Sequence, residues 1–130
     1  MIYKYKMSKS DSKYIFKFTI KHSLEYRKQE SIRLRNAFNS RIPLILEKDS
    51  RCPYSDIRKY SFLPPDSTKL STIISIIRKR LKLPQNKSLY IYADGTTLLD
   101  DCSNLSQIYE KHKQPDGFLY LLYHNEFKSL

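Results

Sequence analysis

Residues 118–123, with the sequence FLYLLY, restrict the fold more than any other segment of the chain. All of these side chains are apolar or aromatic, so both faces of a strand formed by them must be buried. Such a strand is typical of the centre of a sheet, where it has a neighbour on each side. We therefore predict a sheet built around residues 118–123, near the end of the sequence.

Two further patterns lie upstream of this strand. The segment 67–83 predicts a helix that begins at Ser67 or Thr68 and cannot continue through Pro84. Asp94-Gly95 predicts a hairpin between a strand at 89–93 and a short return strand at 97–99. The apolar face of the helix recurs every three or four residues and consists of Leu70, Ile73, Ile74, Ile77 and Leu81.

The remaining elements complete the order along the chain. Apolar residues predict short strands at 42–46 and 59–63, the second ending before Pro64-Pro65, and a short helix around 105–109. From residue 42 the chain therefore reads strand, strand, long helix, strand, return strand, short helix, strand. This order is typical of the β-grasp fold in the α+β class, which we predict as a four-stranded mixed sheet over one long helix.

The first forty residues differ from the rest. Residues 1–13 are polar and rich in lysine, and we predict a basic mobile arm there. The β-branched and aromatic residues at 14–20 favour a strand. Ser23 then predicts the start of a mainly polar helix that ends near Asn39-Ser40. Its narrow apolar stripe follows Leu24, Arg27, Ser31, Leu34 and Phe38.

The charge and the reactive side chains of the chain limit the range of possible functions. The formal net charge is +11, and residues 1–41 hold 11 lysines and arginines against 3 acids, which favours acidic partners without choosing among them. His22, His112 and His124 lie in separate polar contexts, and two isolated cysteines have no metal-ligand spacing. We predict no catalytic residue, no metal and no cofactor.

Three segments resemble, in order, parts of the autophagy-related ubiquitin-like modifiers, the family of the microtubule-associated light chains and the GABA-receptor-associated proteins. The segments are RIPLILEK at 41–48, IIRKRLKL at 76–83 and DGFLYLLY at 116–123. The resemblance covers about residues 14–130. It implies two helices at 14–38, and we adopt a helical extension at 14–40 before a ubiquitin-like domain at 41–130. It also implies a cytoplasmic, autophagosome-associated protein.

The resemblance implies that the chain binds short linear motifs of the form aromatic-x-x-aliphatic, carried by autophagy receptors or machinery proteins. The ligand would add a strand to an edge formed by Lys59, Tyr60, Ser61, Phe62 and Leu63. The aromatic pocket would be lined by Glu30, Leu34, Pro43, Ile45, Phe62 and Phe118. The aliphatic pocket would be lined by Leu63, Pro64, Ile73 and Ile76. Acidic ligand residues would meet Arg41, Lys48, Arg58, Lys59 and Arg80.

The sequence departs from the family pattern at two places. Near Pro64 a one-residue slip leaves open whether Lys59 or Tyr60 replaces the family's lysine. Leu130 occupies the position of the glycine that is joined to lipid, so we expect poor lipid conjugation, and membrane association only through conjugation or recruitment.

Two alternatives stay open at this stage. The predicted pocket residues are also typical core residues of any β-grasp domain. The basic first third, with its interleaved tyrosines, would also suit a scaffold that binds microtubule tails or RNA. Of these partners we favour peptides over nucleic acid.

Overall fold

The computed structural model of the chain describes residues 13–127. The helices are α1 (Lys17–Lys21), α2 (Leu24–Ala37), α3 (Leu70–Leu81) and α4 (Leu105–His112). The strands are β1 (Leu44–Lys48), β2 (Ser61–Phe62), β3 (Tyr90–Ala93), β4 (Thr97–Leu98) and β5 (Leu119–His124). Residues 1–12 of the predicted basic arm lie outside the described range, so that prediction stays untested.

The strands form one mixed sheet in the order β2-β1-β5-β3-β4, with β5 at its centre. β5 pairs in parallel with β1 and antiparallel with β3, and all of its residues are buried. The predicted α+β fold and the central place of this strand are confirmed. The sheet has five strands rather than four, because the predicted return strand joins it: Thr97 and Leu98 pair with Ala93 and Tyr92.

α3 packs across one face of the sheet. Lys82 ends the helix in the left-handed conformation with a φ of 55°, two residues before Pro84. Burial of each aliphatic side chain on this face contributes about 1.5–3 kcal/mol. The cluster beneath the helix joins Leu70, Ile73 and Ile77 of α3 to Leu44, Leu46, Leu119 and Leu121 of the sheet.

α1 and α2 cover the opposite face of the sheet, within the predicted extension at 14–40. The strand that local pattern favours at 14–20 is wrong, and the helix that the resemblance implies is confirmed at Lys17–Lys21. Phe16 and Phe18 are buried in this layer together with Ile45 and Phe118. The side chains of this short helix therefore form part of a second apolar cluster.

α2 begins as predicted, with the Ser23 hydroxyl accepting a hydrogen bond from the Tyr26 N–H. Among the residues of this helix, all of them described, Ser31 alone is buried. Leu24 is 48% exposed and Phe38 is 46% exposed, so the predicted apolar stripe is wrong at both of its ends. A helix with so little buried apolar surface needs polar contacts to hold it on the sheet.

Those contacts converge on Asp116, whose side chain is buried. Arg27 of α2 donates to its Oδ2 at 2.7 Å, and the Tyr120 hydroxyl donates to the same oxygen at 2.5 Å. The Ser31 hydroxyl donates to the Asp116 backbone carbonyl. Burial, and then the bond to Asp116, raise the pKa of Tyr120 above its ordinary value, so the phenol stays a donor.

Gly117 lets α2 approach the start of β5. Its φ is +90°, a conformation that side chains with a Cβ rarely adopt. A Cβ at this position would lie 2.3 Å from the Ser31 hydroxyl oxygen and 2.9 Å from the Ser31 Cβ. The absence of a side chain at 117 is therefore a condition for the contact between helix and sheet.

α1 is held by a second buried carboxylate, Glu47 of β1. The N–H groups of Lys17 and Phe18 donate to its two oxygens at 2.8 and 3.0 Å, and the Tyr14 hydroxyl donates to Oε1 at 2.8 Å. The local N-cap residue, Phe16, makes no side-chain capping bond, so a strand supplies the cap for this helix. Burial, followed by the bond to Glu47, raises the pKa of Tyr14.

Replacement of Gly117 by alanine should destabilise the fold more than replacement of Gly95. Both positions have a positive φ, which costs an alanine about 1–2 kcal/mol. At Gly95 the nearest atom to a new Cβ is 3.4 Å away, whereas Ser31 blocks position 117. We expect Gly117→Ala to lower the free energy of unfolding by a further 1–3 kcal/mol or so. Equal losses in urea denaturation of the two variants would contradict the close approach.

Neutralising Glu47 should loosen α1 in particular. Glu47→Gln keeps the side-chain shape but replaces one acceptor oxygen by a donor that faces N–H groups, so we expect a loss of about 1–3 kcal/mol. Amide hydrogen exchange at residues 17–21 should accelerate. Glu25→Gln, a matched neutralisation on the exposed first turn of α2, should change stability by less than about 0.5 kcal/mol. Unchanged exchange in α1 would show that Glu47 is not its cap.

Candidate functional site

β2 is one edge of the sheet, because β1 is its only neighbour in the strand order of the described residues. Leu44 lies opposite Phe62 in the antiparallel pair. The carbonyls of Tyr60 and Pro64 accept from the N–H groups of Leu46 and Ile42 at 2.7 and 2.9 Å. Residues 60, 62 and 64 therefore direct their peptide groups toward β1, and the alternate residues direct theirs away.

The outward-facing groups belong to Ser61 and Leu63. The Leu63 carbonyl accepts a hydrogen bond from Arg41 Nη1 at 2.8 Å, so an arginine side chain caps one acceptor of this edge. Arg41 is exposed, so its guanidinium can move away from the carbonyl without disturbing the core. Of the edge predicted at Lys59–Leu63, Ser61 and Phe62 form the strand β2, and Arg41 occupies the Leu63 carbonyl that follows it.

A small hollow lies between β2 and α3. Its volume is about 20 Å³, roughly the space of one water and less than that of an aliphatic side chain. Lys59 Nζ and Arg80 Cζ lie 5.5 and 5.3 Å from the centre of the Phe62 ring, which is half-buried over this space. The hollow is lined by Leu44, Leu46, Ile57, Phe62, Ile73, Ile76 and Ile77.

The assignment of Phe62 and Leu63 to pockets is wrong by one residue. Phe62 lines the hollow on the α3 side, whereas the sequence analysis placed it in the aromatic pocket on the α2 side. Side chains alternate along a strand, so Leu63 belongs to the α2 side and not to the aliphatic pocket. The sequence analysis left the alignment near Pro64 uncertain by one residue. A shift of one residue along a strand moves each side chain to the opposite face, which explains the exchange of Phe62 and Leu63.

The other predicted aliphatic-pocket residues do lie on the α3 side. Ile73 and Ile76 line the hollow, and Ile76 is 41% exposed. Pro64 shares its parity with Phe62, which places it on the same face. Opening the hollow to a ligand requires Phe62 or Ile76 to move, since the present space is too small.

The aromatic pocket predicted between α2 and the sheet is a packed cluster in this structure. Ile45 and Phe118 are buried at its base, and Leu34 packs against them. The Phe18 ring lies over Phe118 with 5.1 Å between ring centres. Pro43 is buried and shares the strand face of Ile45. An aromatic ligand side chain would therefore have to replace Phe18 or insert beside it.

Glu30, placed in the same pocket, is paired within its own helix. Arg33 donates to both of its carboxylate oxygens at 3.0 and 2.7 Å. These hydrogen bonds lower the pKa of Glu30 below its ordinary value. Both carboxylate oxygens already accept hydrogen bonds from Arg33, so Glu30 is less available to a ligand than the sequence suggested.

The cations predicted to meet acidic ligands divide into two groups. Arg58, Lys59 and Arg80 are exposed around β2 and the end of α3. Lys48 instead donates to the Asp49 and Cys52 carbonyls at 3.2 and 2.8 Å, which turns its ammonium toward the protein. Lys48 is therefore poorly placed for the predicted role.

An open space that the sequence analysis missed lies between α1 and the end of β1. Its volume is about 310 Å³. We call it the α1 cavity and define it by the buried or half-buried Phe18, Leu46 and Ile57 and the exposed Lys17, Lys21 and Tyr60. No signal along the chain could reveal it, because it forms where three separate segments meet.

Other kinds of site find no support in the part of the chain that the structure describes. No group of three or more His, Cys, Asp or Glu side chains is arranged there to hold a metal ion. None of the helices between residues 13 and 127 combines the length and the apolar character that crossing a membrane requires.

Comparison with known proteins agrees with this architecture. A family model described as "Autophagy protein Atg8 ubiquitin like" matches residues 26–128. Autophagy-related protein 8 of Cochliobolus heterostrophus is 39% identical over 110 residues, which are 85% of this chain and 92% of that protein. Autophagy-related protein 8B of Oryza sativa subsp. indica is 38% identical over 109 residues, covering 84% and 91%.

A solved structure agrees as well. The crystal structure of Trypanosoma brucei ATG8 superimposes with a TM-score of 0.80 at 28% identity, covering 90% of this chain and all of that one. The sheet order, the helices on both faces and the length of the match all agree with these comparisons. The chain belongs to the Atg8 ubiquitin-like family.

Proposed function

We propose that this Atg8-family chain is an adaptor that binds short peptides of the form aromatic-x-x-aliphatic by strand addition along β2. The observation that supports it most is the edge itself. The peptide groups of Ser61 and Leu63 face away from β1, and apolar clusters lie on both sides of the strand. Strand addition uses such backbone groups for affinity and the flanking side chains for selectivity.

Each of the two ligand side chains, the aliphatic and the aromatic, requires a protein side chain to move before it can be buried. On the α3 side the aliphatic residue would enter beside Ile73, Ile76 and Pro64 as Phe62 turns aside. On the α2 side the aromatic residue would meet Leu34, Ile45 and Phe118 beside Phe18. Burial of each ligand side chain contributes about 1.5–3 kcal/mol, more than an exposed ion pair at about 0.2–1 kcal/mol. Apolar contacts should therefore dominate the affinity.

As partners we propose autophagy receptors or machinery proteins that carry such motifs, met in the cytoplasm or at autophagosomes. The chain would act by binding rather than by catalysis. Leu130 lies outside the described residues, so the expectation of poor lipid conjugation remains a prediction. The comparisons give no support to the alternative of a microtubule- or RNA-binding scaffold.

A proline at position 61 should weaken peptide binding without disturbing the fold. The Ser61 N–H faces away from β1, so Ser61→Pro removes a donor of the edge and leaves the pairing of Phe62 with Leu44 intact. With a short synthetic Trp-x-x-Leu peptide, we expect affinity measured by calorimetry to fall about tenfold. Ser61→Ala keeps the N–H and should bind as the parent does. Equal binding by both variants, with unchanged thermal stability, would exclude strand addition at β2.

Removal of the Arg41 side chain should strengthen binding of a peptide that has no carboxylates. The capped Leu63 carbonyl must be freed before a ligand can use it, and one exposed hydrogen bond is worth about 0.5–1.5 kcal/mol. We expect Arg41→Ala to raise the affinity about two- to tenfold. Arg58→Ala removes the same charge from an exposed site near β2 and should leave it unchanged. Weaker binding by Arg41→Ala would mean that Arg41 contacts the ligand instead.

A further inference from the structure

A second cavity lies between the segment that leads into α2 and the turn of the β3–β4 hairpin. Its volume is about 360 Å³, which is within the range of ligand sites. None of the described residues that line it belongs to β2, so this cavity is separate from the edge proposed to bind peptides. We call it the hairpin cavity and define it by Ile15, Phe16, Thr19, Leu24, Asp94 and Gln114.

One wall of the hairpin cavity is apolar. Phe16 is buried there, and the Tyr120 ring packs against it with 5.1 Å between the ring centres. Two other lining residues face water, since Ile15 is 68% exposed and Leu24 is 48% exposed. A large side chain that entered the cavity would remove part of this apolar surface from water, which is favourable. The wall therefore suits an aromatic side chain.

The cavity also has a carboxylate with spare capacity. Asp116 accepts hydrogen bonds from Arg27 and Tyr120, so these charged groups are already paired. Asp94 is half-buried, and Gln114 Nε2 donates to its Oδ1 at 2.6 Å. None of the described residues donates a hydrogen bond to Asp94 Oδ2. A cationic group next to the entering side chain would therefore complement Asp94.

The chain itself supplies a segment with this chemistry. Lys13 lines the hairpin cavity and is exposed, and residues 1–12 join the domain at that point. Within MIYKYKMSKSDS, Tyr5 has a lysine on each side. Tyr5 precedes Lys13 by eight positions, a length that can span up to about 25 Å. The serines and the aspartate at 8–12 favour a turn, which would bring Tyr5 back toward the cavity.

We propose that the hairpin cavity binds the N-terminal segment of its own chain, with Tyr5 against the apolar wall and a neighbouring lysine at Asp94. Tethering favours this occupant over a free peptide, because a short linker gives an effective concentration in the millimolar range or so. The ligand class is therefore an aromatic residue flanked by lysines. The proposal does not depend on strand addition at β2, and its test involves no peptide bound there.

A single tryptophan tests the docking of Tyr5. The chain contains no tryptophan, so the fluorescence of Tyr5→Trp reports on this position alone. A synthetic peptide of residues 1–12 with the same substitution is the matched reference for full exposure. In the protein we expect a blue-shifted emission and a Stern–Volmer constant for acrylamide quenching that is lower by about threefold or more. Equal quenching in protein and peptide would overturn the proposal.

Two exposed isoleucines locate the contact. In the Tyr5→Trp protein, Ile15→Ser removes an apolar side chain that lines the cavity and should raise the quenching constant by about twofold or more. Ile20→Ser removes the same side chain from a position on α1 that is 73% exposed and does not line the cavity. It should leave quenching unchanged. Equal effects of the two variants would place the tryptophan elsewhere and overturn the proposal.

Asp94→Asn tests the charged part of the site. Asparagine tolerates the φ of 57° at this position and keeps an acceptor for Gln114, so the hairpin should be preserved. Loss of the negative charge should raise the quenching constant by about twofold. Asp101→Asn removes the same charge from an exposed position outside the cavity and should have no effect. Equal quenching in the two variants would overturn the contact with Asp94.

The concentration of the protein distinguishes the remaining occupants. Protection of the tryptophan that persists on dilution would support docking within one chain. Protection that disappears on dilution would show that the segment binds a second copy, which would overturn the proposal. Full exposure at every concentration would leave the hairpin cavity open to another partner and would overturn it as well.

Discussion

A buried carboxylate, Asp116, holds the layer on which the candidate site depends. Within α2, all of which is described, Leu34 alone packs into the apolar cluster on the sheet, so the hydrophobic effect contributes little to holding this helix. Arg27 and Ser31 of the helix instead bond to the side chain and backbone of Asp116, at the entrance of the central strand. The Glu47 carboxylate holds α1 by accepting hydrogen bonds from the backbone N–H groups of Lys17 and Phe18. One buried carboxylate thus anchors each helix, Asp116 for α2 and Glu47 for α1.

Much of the domain could be predicted because its signals are local. The central strand follows from an unbroken apolar run, and α3 from the spacing of Leu70, Ile73 and Ile77, all three of which are buried. Asp94 and Gly95 have φ values of 57° and 82°, as the hairpin they predict requires. In each case the residues that form the sequence pattern lie within the element that the pattern predicts.

The errors arose where distant segments decide the outcome. Residues 14–20 have the composition of a strand, but Glu47, about thirty residues later, caps them as a helix. The face of Phe62 depends on register with Leu44, which a strand as short as β2 does not reveal in its own sequence. The α1 cavity arises because β2 begins only opposite Ile45 and leaves the end of β1 uncovered, so no single segment could have indicated it.

The pairing of β1 with β5 has a consequence for how the protein is made. These strands lie side by side in parallel, yet their paired residues, such as Leu44 and Leu119, are 75 positions apart along the chain. Contacts so distant in sequence form slowly, and they cannot form until β5 has left the ribosome, long after β1. Until then Leu44, Ile45 and Leu46 have no partner strand at the centre of the sheet. A nascent chain of this protein therefore exposes an aggregation-prone segment until β5 has been synthesised.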